Sequence, residues 1–156
     1  MIAIERILVP IDFSPSSLNA LDEAVEFGRP YEAEIIVLCV LERDFHTPLM
    51  LVPDPRAFLQ EQTRAAEARL AQIATQLNRK RVKYRTVLEF GVPYQTIVDS
   101  AKRLKADVIV MSTHGSTGLA HILIGSVADR VVQHASCPIL LLRALPPEKR
   151  RRRRSE

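Results

Sequence analysis

Apolar residues fall along this chain in two alternating rhythms: short continuous runs, and longer stripes with residues three and four apart. The runs are Ile4 to Pro10, Ile35 to Val40, Val82 to Glu89, Val108 to Met111 and Ile139 to Leu142. All but one hold continuous apolar stretches, the mark of parallel strands covered on both faces. Val82 to Glu89 instead sets Lys83 and Arg85 between Val82, Tyr84 and Thr86, so one face is wet and an edge position is expected. The stripes are Leu18, Leu21, Val25 and Gly28; Leu59, Ala66, Leu70, Ile73 and Leu77; Ile97, Val98, Ala101 and Leu104; and Val127, Ala128, Val131, Val132 and Ala135. Each predicts an amphipathic helix. Ser14-Pro15 starts the first, the serine capping and the proline in the first turn, and Gly91-Val92-Pro93 turns the chain into the third. The order βαβαβαβαβ predicts a doubly wound α/β fold, a mainly parallel five-stranded sheet with right-handed crossovers and helices on both faces.

Composition narrows the class. The 156 residues suit one domain, expected over 1–145, and no apolar run approaches the ~20 residues of a membrane span. Met1 to Arg6 leads straight into a strand without a basic n-region or cleavage site, which makes the cytoplasm the expected compartment. Cys39 and Cys137 have no C-x-x-C or metal-ligand spacing and read as free thiols. The pI of 9.4 invites a nucleic-acid reading, yet the whole net charge of +4 resides in 146–156, where Arg150 to Arg154 form a run expected to be disordered. No aromatic residue interleaves with those arginines, so the partner they imply is a nonspecific, salt-sensitive anion.

In an open parallel sheet, ligands bind outside the carboxyl ends of the strands. The first strand ends in Pro10-Ile11-Asp12-Phe13-Ser14 and the second at Val40. The stretch Glu42 to Pro55 follows, with Pro48, Pro53 and Pro55; a ligand cover and a plain surface connection are both compatible with it. The fourth strand runs into Met111-Ser112-Thr113-His114-Gly115-Ser116-Thr117-Gly118, and Gly125-Ser126 opens the last helix. Gly115 and Gly118 let backbone amides lie against an anion. The free amides and dipole of a helix start at Gly125-Ser126 favour a phosphate, where a Cβ at Gly125 is expected to intrude. The same residues also suit turning and capping alone.

Other chemistries have less to stand on. There is no G-x-x-x-x-G-K-[ST], and no G-x-G-x-x-G follows the first strand. His46, His114, His121 and His134 show no paired metal spacing. Between Ser112 and Ala128 there is no charged residue to clamp a γ-phosphate or orient water, which argues against phosphoryl transfer. Asp12 admits two roles, ligand contact and stabilisation of the loop before the first helix.

Val110 to Gly115, Gly118-Leu119, Leu123 to Ala128 and His134 to Leu140, together with Arg6 to Ser14, closely resemble the signature of universal stress proteins of the UspA type. The likeness covers nearly everything from Ile4 to Arg143. It implies a strand order 3-2-1-4-5 and, for the ATP-binding branch, the pattern G-x2-G-x9-G-[ST]. Gly115, Gly125 and Ser126 satisfy its later part, while Ser112 stands where its first glycine would be. By resemblance, Pro10 and Asp12 lie near the ribose, Val40 and Met111 near the adenine, and Gly115, Gly125, Ser126 and Val127 at the phosphates of ATP, with any Mg²⁺ or Mn²⁺ carried by the nucleotide. It further implies a homodimer through Pro138 to Arg143 and a sensor or regulator in stress response rather than an enzyme. A slow ATPase and a UspA-type module that binds no nucleotide are the alternatives.

Overall fold

The computed structural model describes residues 3–42, 53–114 and 124–143. Along the chain come β1 (Arg6–Ile11), α1 (Pro15–Gly28), a 3-10 turn (Arg29–Tyr31), β2 (Glu34–Leu41), α2 (Pro55–Arg79), β3 (Tyr84–Phe90), α3 (Pro93–Arg103), β4 (Val108–Ser112), α4 (Ser126–His134) and β5 (Ile139–Leu142). The strands form one parallel sheet in the order β3-β2-β1-β4-β5, as the alternation and the resemblance predict. β3 is an edge, and its Arg85 is held by Glu34 of β2, with Nη2 2.7 Å from Oε2.

Successive side chains of a strand point to opposite faces, and β1 divides the core accordingly. Ile7, Val9 and Ile11 pack with Leu21 and Val25 of α1 and Leu70 and Ile73 of α2. Leu8, with Ile36, Leu38, Ile109 and Met111, packs on Ile97 and Ala101 of α3 and Ala128 and Val131 of α4. Burying each large aliphatic side chain contributes about 1.5–3 kcal/mol, so these two layers carry the fold.

The helical stripes need correction at their ends. Leu18, Leu59 and Val127 are each 36% exposed and Val132 is 47% exposed. On α1 the buried face is Ser17, Ala20, Leu21, Ala24, Val25 and Gly28. The isoleucines and valines of the sheet already fill the space beneath it, so small residues let the helix come close and Leu18 turns to the rim. At Gly28 an added Cβ would lie 2.9 Å from Ile7 Cδ1 and 3.3 Å from Ile35 Cδ1. α4 is short and buries only Ala128 and Val131.

The two ends of the central strands differ. At the amino end Asp107 Oδ2 accepts the N–H groups of Glu5 and Arg6, both at 2.8 Å, tying β4 to β1. Towards the carboxyl end β1 stays paired with β2 as far as Ile11↔Cys39, but its register with β4 stops at Leu8↔Ile109. Pro10, which has no N–H to offer a ladder, stands just beyond that point. The strands part there, at the switch of winding direction where doubly wound sheets place a ligand crevice. Among the described residues no helix is long and apolar enough to cross a membrane. Residues 43–52, Gly115, Gly118, His46, His121 and the 146–156 tail lie outside the described residues.

Candidate functional site

A cleft of about 510 Å³ opens at the carboxyl ends of β1, β2 and β4, on the side of the sheet covered by α3 and α4. It has the size of a small-molecule site. Pro10, Asp12, Val40, Met111, Ser112, Gly125, Ser126 and Val127, all nominated from the sequence, line it together. Gly115 and Gly118 are the nominated residues that lie outside the described segments.

The β1–α1 turn presents Asp12 through a chain of short-range hydrogen bonds. Asp12 Oδ1 accepts the N–H of Ser14 at 3.0 Å, and Asp12 N–H donates to Ser17 Oγ at 3.3 Å. Between them Phe13 has a φ of 62°, in the left-handed region. Ser14 then caps α1, its Oγ accepting the Ser17 N–H at 3.2 Å. The loop-stabilising role considered for Asp12 is therefore real, and the residue lines the cleft as well.

Met111, Ser112 and Thr113 are buried where β4 ends. Ser112 Oγ and Ser16 Oγ both donate to the carbonyl of His114, at 2.7 and 2.8 Å, fixing the chain as it leaves the strand. The Ser112 hydroxyl is thus turned back onto the backbone. The Thr113 carbonyl accepts the Gly125 N–H at 2.6 Å, which brings the start of α4 against the end of β4. At Gly125 an added Cβ would meet that same carbonyl at 3.1 Å. A Cβ at Gly125, expected from the sequence to intrude on a phosphate, thus meets the backbone just beyond β4. No side chain among the described residues caps α4, so the amides of its first turn have no side-chain acceptor, and Gly125, Ser126 and Val127 there line the cleft.

The lining is chemically mixed: apolar Leu38, Val40, Ile97 and Met111 share it with polar Thr113 and Ser126 and with Arg130. Tyr94, Glu42 and Arg130 were missed by sequence reasoning. Arg130 stands four residues after Ser126 and so on the same helix face, just beyond the stretch from Ser112 to Ala128 that holds no charged residue. Its guanidinium carbon lies 5.1 Å from the centroid of Tyr94 on α3. Of the described histidines, His134 lies against Tyr94 with ring centroids 5.6 Å apart, and its Nδ1–H donates to the Arg130 carbonyl at 2.8 Å. Among the described residues no group of three or more His, Cys, Asp or Glu could hold a metal ion. Cys39 and Cys137 are free, and burial pushes the Cys39 thiol up to about 11.

Comparison with known proteins finds relatives over nearly the whole chain. A model described as the universal stress protein family matches residues 3–143. The universal stress protein MJ0531 of Methanocaldococcus jannaschii is 34% identical over 145 residues, 89% of this chain and 82% of that one. The solved structure of MJ0577, from the same organism, superposes with a TM-score of 0.83 at 26% identity, covering 92% of this chain and 99% of that one. The UspA structure from Lactobacillus plantarum gives a TM-score of 0.77 at 29% identity, covering 92% and 100%.

Proposed function

Starting from the fact that the chain belongs to the universal stress protein family, we propose that it binds an adenine nucleotide, ATP first among them, and acts through the bound state as a sensor or regulator in stress response. The observation that carries this reading is that apolar side chains at the strand ends and an uncapped helix start line one and the same cleft. A flat heterocycle suits Val40, Leu38 and Met111; phosphates suit the first amides of α4 and the Ser126 hydroxyl. Asp12, in the lining of the same cleft, suits the hydroxyls of a ribose. Ser112 is compatible with the glycine-rich pattern because its side chain is engaged by the His114 carbonyl.

The reading is of a binder rather than a catalyst. The backbone of the phosphate end supplies neutral donors, and a divalent metal would arrive with the nucleotide instead of resting on a protein cluster. A cytoplasmic homodimer completes the proposal, with β5 pairing across a twofold axis, since that strand is the sheet edge opposite β3 and all four of its residues are only half-buried.

Titration calorimetry with ATP tests the central claim. Binding in the range of about micromolar to millimolar is expected. Absence of binding at several millimolar ATP, with no nucleotide in native mass spectra of freshly purified protein, would sink it.

A further inference from the structure

Arg130 is an exposed cation without a carboxylate partner among the described residues, and it stands in the lining of the cleft. Arg130 is one turn after Ser126 on the same face of α4, so the uncapped first turn lies next to it along that face. Its guanidinium lies over the Tyr94 ring, and the Tyr94 hydroxyl accepts from Gln95 Nε2 at 3.1 Å. An arginine stacked on an aromatic face keeps its N–H donors in the plane of the guanidinium, where they can bind an anion at its edge.

We propose that Arg130 is a phosphate-counting arm: resting on Tyr94 at the mouth of the cleft, it engages the outermost phosphate of a nucleoside triphosphate and leaves a monophosphate untouched. The inference rests on the nucleotide reading of the cleft. The backbone amides of α4 bind whichever phosphates reach them, without regard to how many follow. A long cationic arm anchored one turn further on adds attraction only for ligands whose negative charge extends to it. Tyr94 does for the arm what a rigid support does for any binding group, lowering the entropy lost when it is fixed. Selectivity for triphosphate over monophosphate is then a property of one side chain and its platform.

Calorimetry with ATP and AMP on the parent, Arg130→Met, Arg130→Lys and Tyr94→Leu separates the possibilities. A charge-assisted contact is worth about tenfold or more in affinity. Arg130→Met is expected to lose about tenfold for ATP and less than about twofold for AMP, Tyr94→Leu to lose part of the same preference, and Arg130→Lys to retain some of it. The preference should also shrink with added salt in the parent and not in Arg130→Met. An unchanged ATP-to-AMP ratio in Arg130→Met overturns the inference and leaves the cleft as a nucleotide site. Equal losses for both nucleotides overturn it too, since they mean Arg130 serves the cleft as a whole. A parent that binds neither nucleotide overturns the underlying reading together with it.

Discussion

Arg69 of α2 lies over the ring of Phe13, its guanidinium carbon 4.3 Å from the ring centroid. Phe13 holds a left-handed φ of 62°, a conformation that costs a bulky L-residue about 1–2 kcal/mol, and it does so immediately after Asp12. The contact from α2 offsets part of that strain and holds the turn that presents Asp12. For an exposed arginine such a contact contributes about 0.5–1 kcal/mol. Arg69→Ala is expected to lower the unfolding free energy in urea by about that amount, with an unchanged m-value. Identical midpoints for parent and variant would show that the turn stands without it.

Gly125→Val brings a branched side chain to a place where even a Cβ meets the Thr113 carbonyl at 3.1 Å. Backbone cannot step aside as a side-chain tip can, so the start of α4 must move away from β4. A loss of about 1–3 kcal/mol in stability is expected, as for other overpacked sites. ATP affinity should fall by more than about tenfold, because the amides that form the proposed phosphate end shift with the helix. Calorimetry on folded variant, checked by circular dichroism, reads both effects; undiminished ATP affinity would remove the start of α4 from the site.

The Cys39 thiol has an opposite dependence on pH from that of a buried carboxylate in an ion pair. Desolvation raises it from 9.0 to about 11, with nearby Arg69 pulling down and Asp12 pushing up more weakly. The unfolded chain therefore releases this proton before the folded one does. Its contribution to stability is fully present below pH 9.0 and declines as pH rises towards about 11. Cys39→Ser should flatten that alkaline decline in a urea series from pH 8 to pH 11. In native protein at pH 8, mass-mapped alkylation should mark Cys137 first, because Cys39 is buried and Cys137 only partly so.

The proposed homodimer predicts a light-scattering mass near twice 17.6 kDa. Leu141→Lys, in the middle of the edge strand, should yield monomer or aggregate, whereas Arg85→Ala on the opposite edge should leave the mass unchanged. A parent that stays monomeric at high micromolar concentration would rule out pairing through β5.

Most of the fold was legible because burial on both faces of a parallel sheet writes itself as uninterrupted apolar runs, and β1, β2 and β4 have little else in them. The edge position of β3 was equally plain from Lys83 and Arg85. The helix faces were less so: hydrophobicity alone nominated Leu18 and Val132, but the packing selected Ser17, Ala20 and Ala24, where closeness to the sheet matters more than apolar area. In the cleft, residues at strand ends could be found from topology, since the switch point fixes where they must gather. Tyr94 could not, because its placement follows from the packing of α3 on α4, whereas Arg130 is marked only by its i, i+4 spacing from Ser126.

Thr113 is used from both sides. Its N–H donates to the carbonyl of Leu142 at 2.9 Å and its own carbonyl accepts from Gly125, so a single rigid peptide link lies on either side of it between the outer strand and the first turn of α4. Strand and helix are in this sense two handles on one latch. A force that draws the outer strand sideways is felt where the last helix begins, and whatever steadies that beginning also steadies the strand. Communication of this kind has no preferred direction: the free energy by which one handle biases the other is the same whichever is turned first.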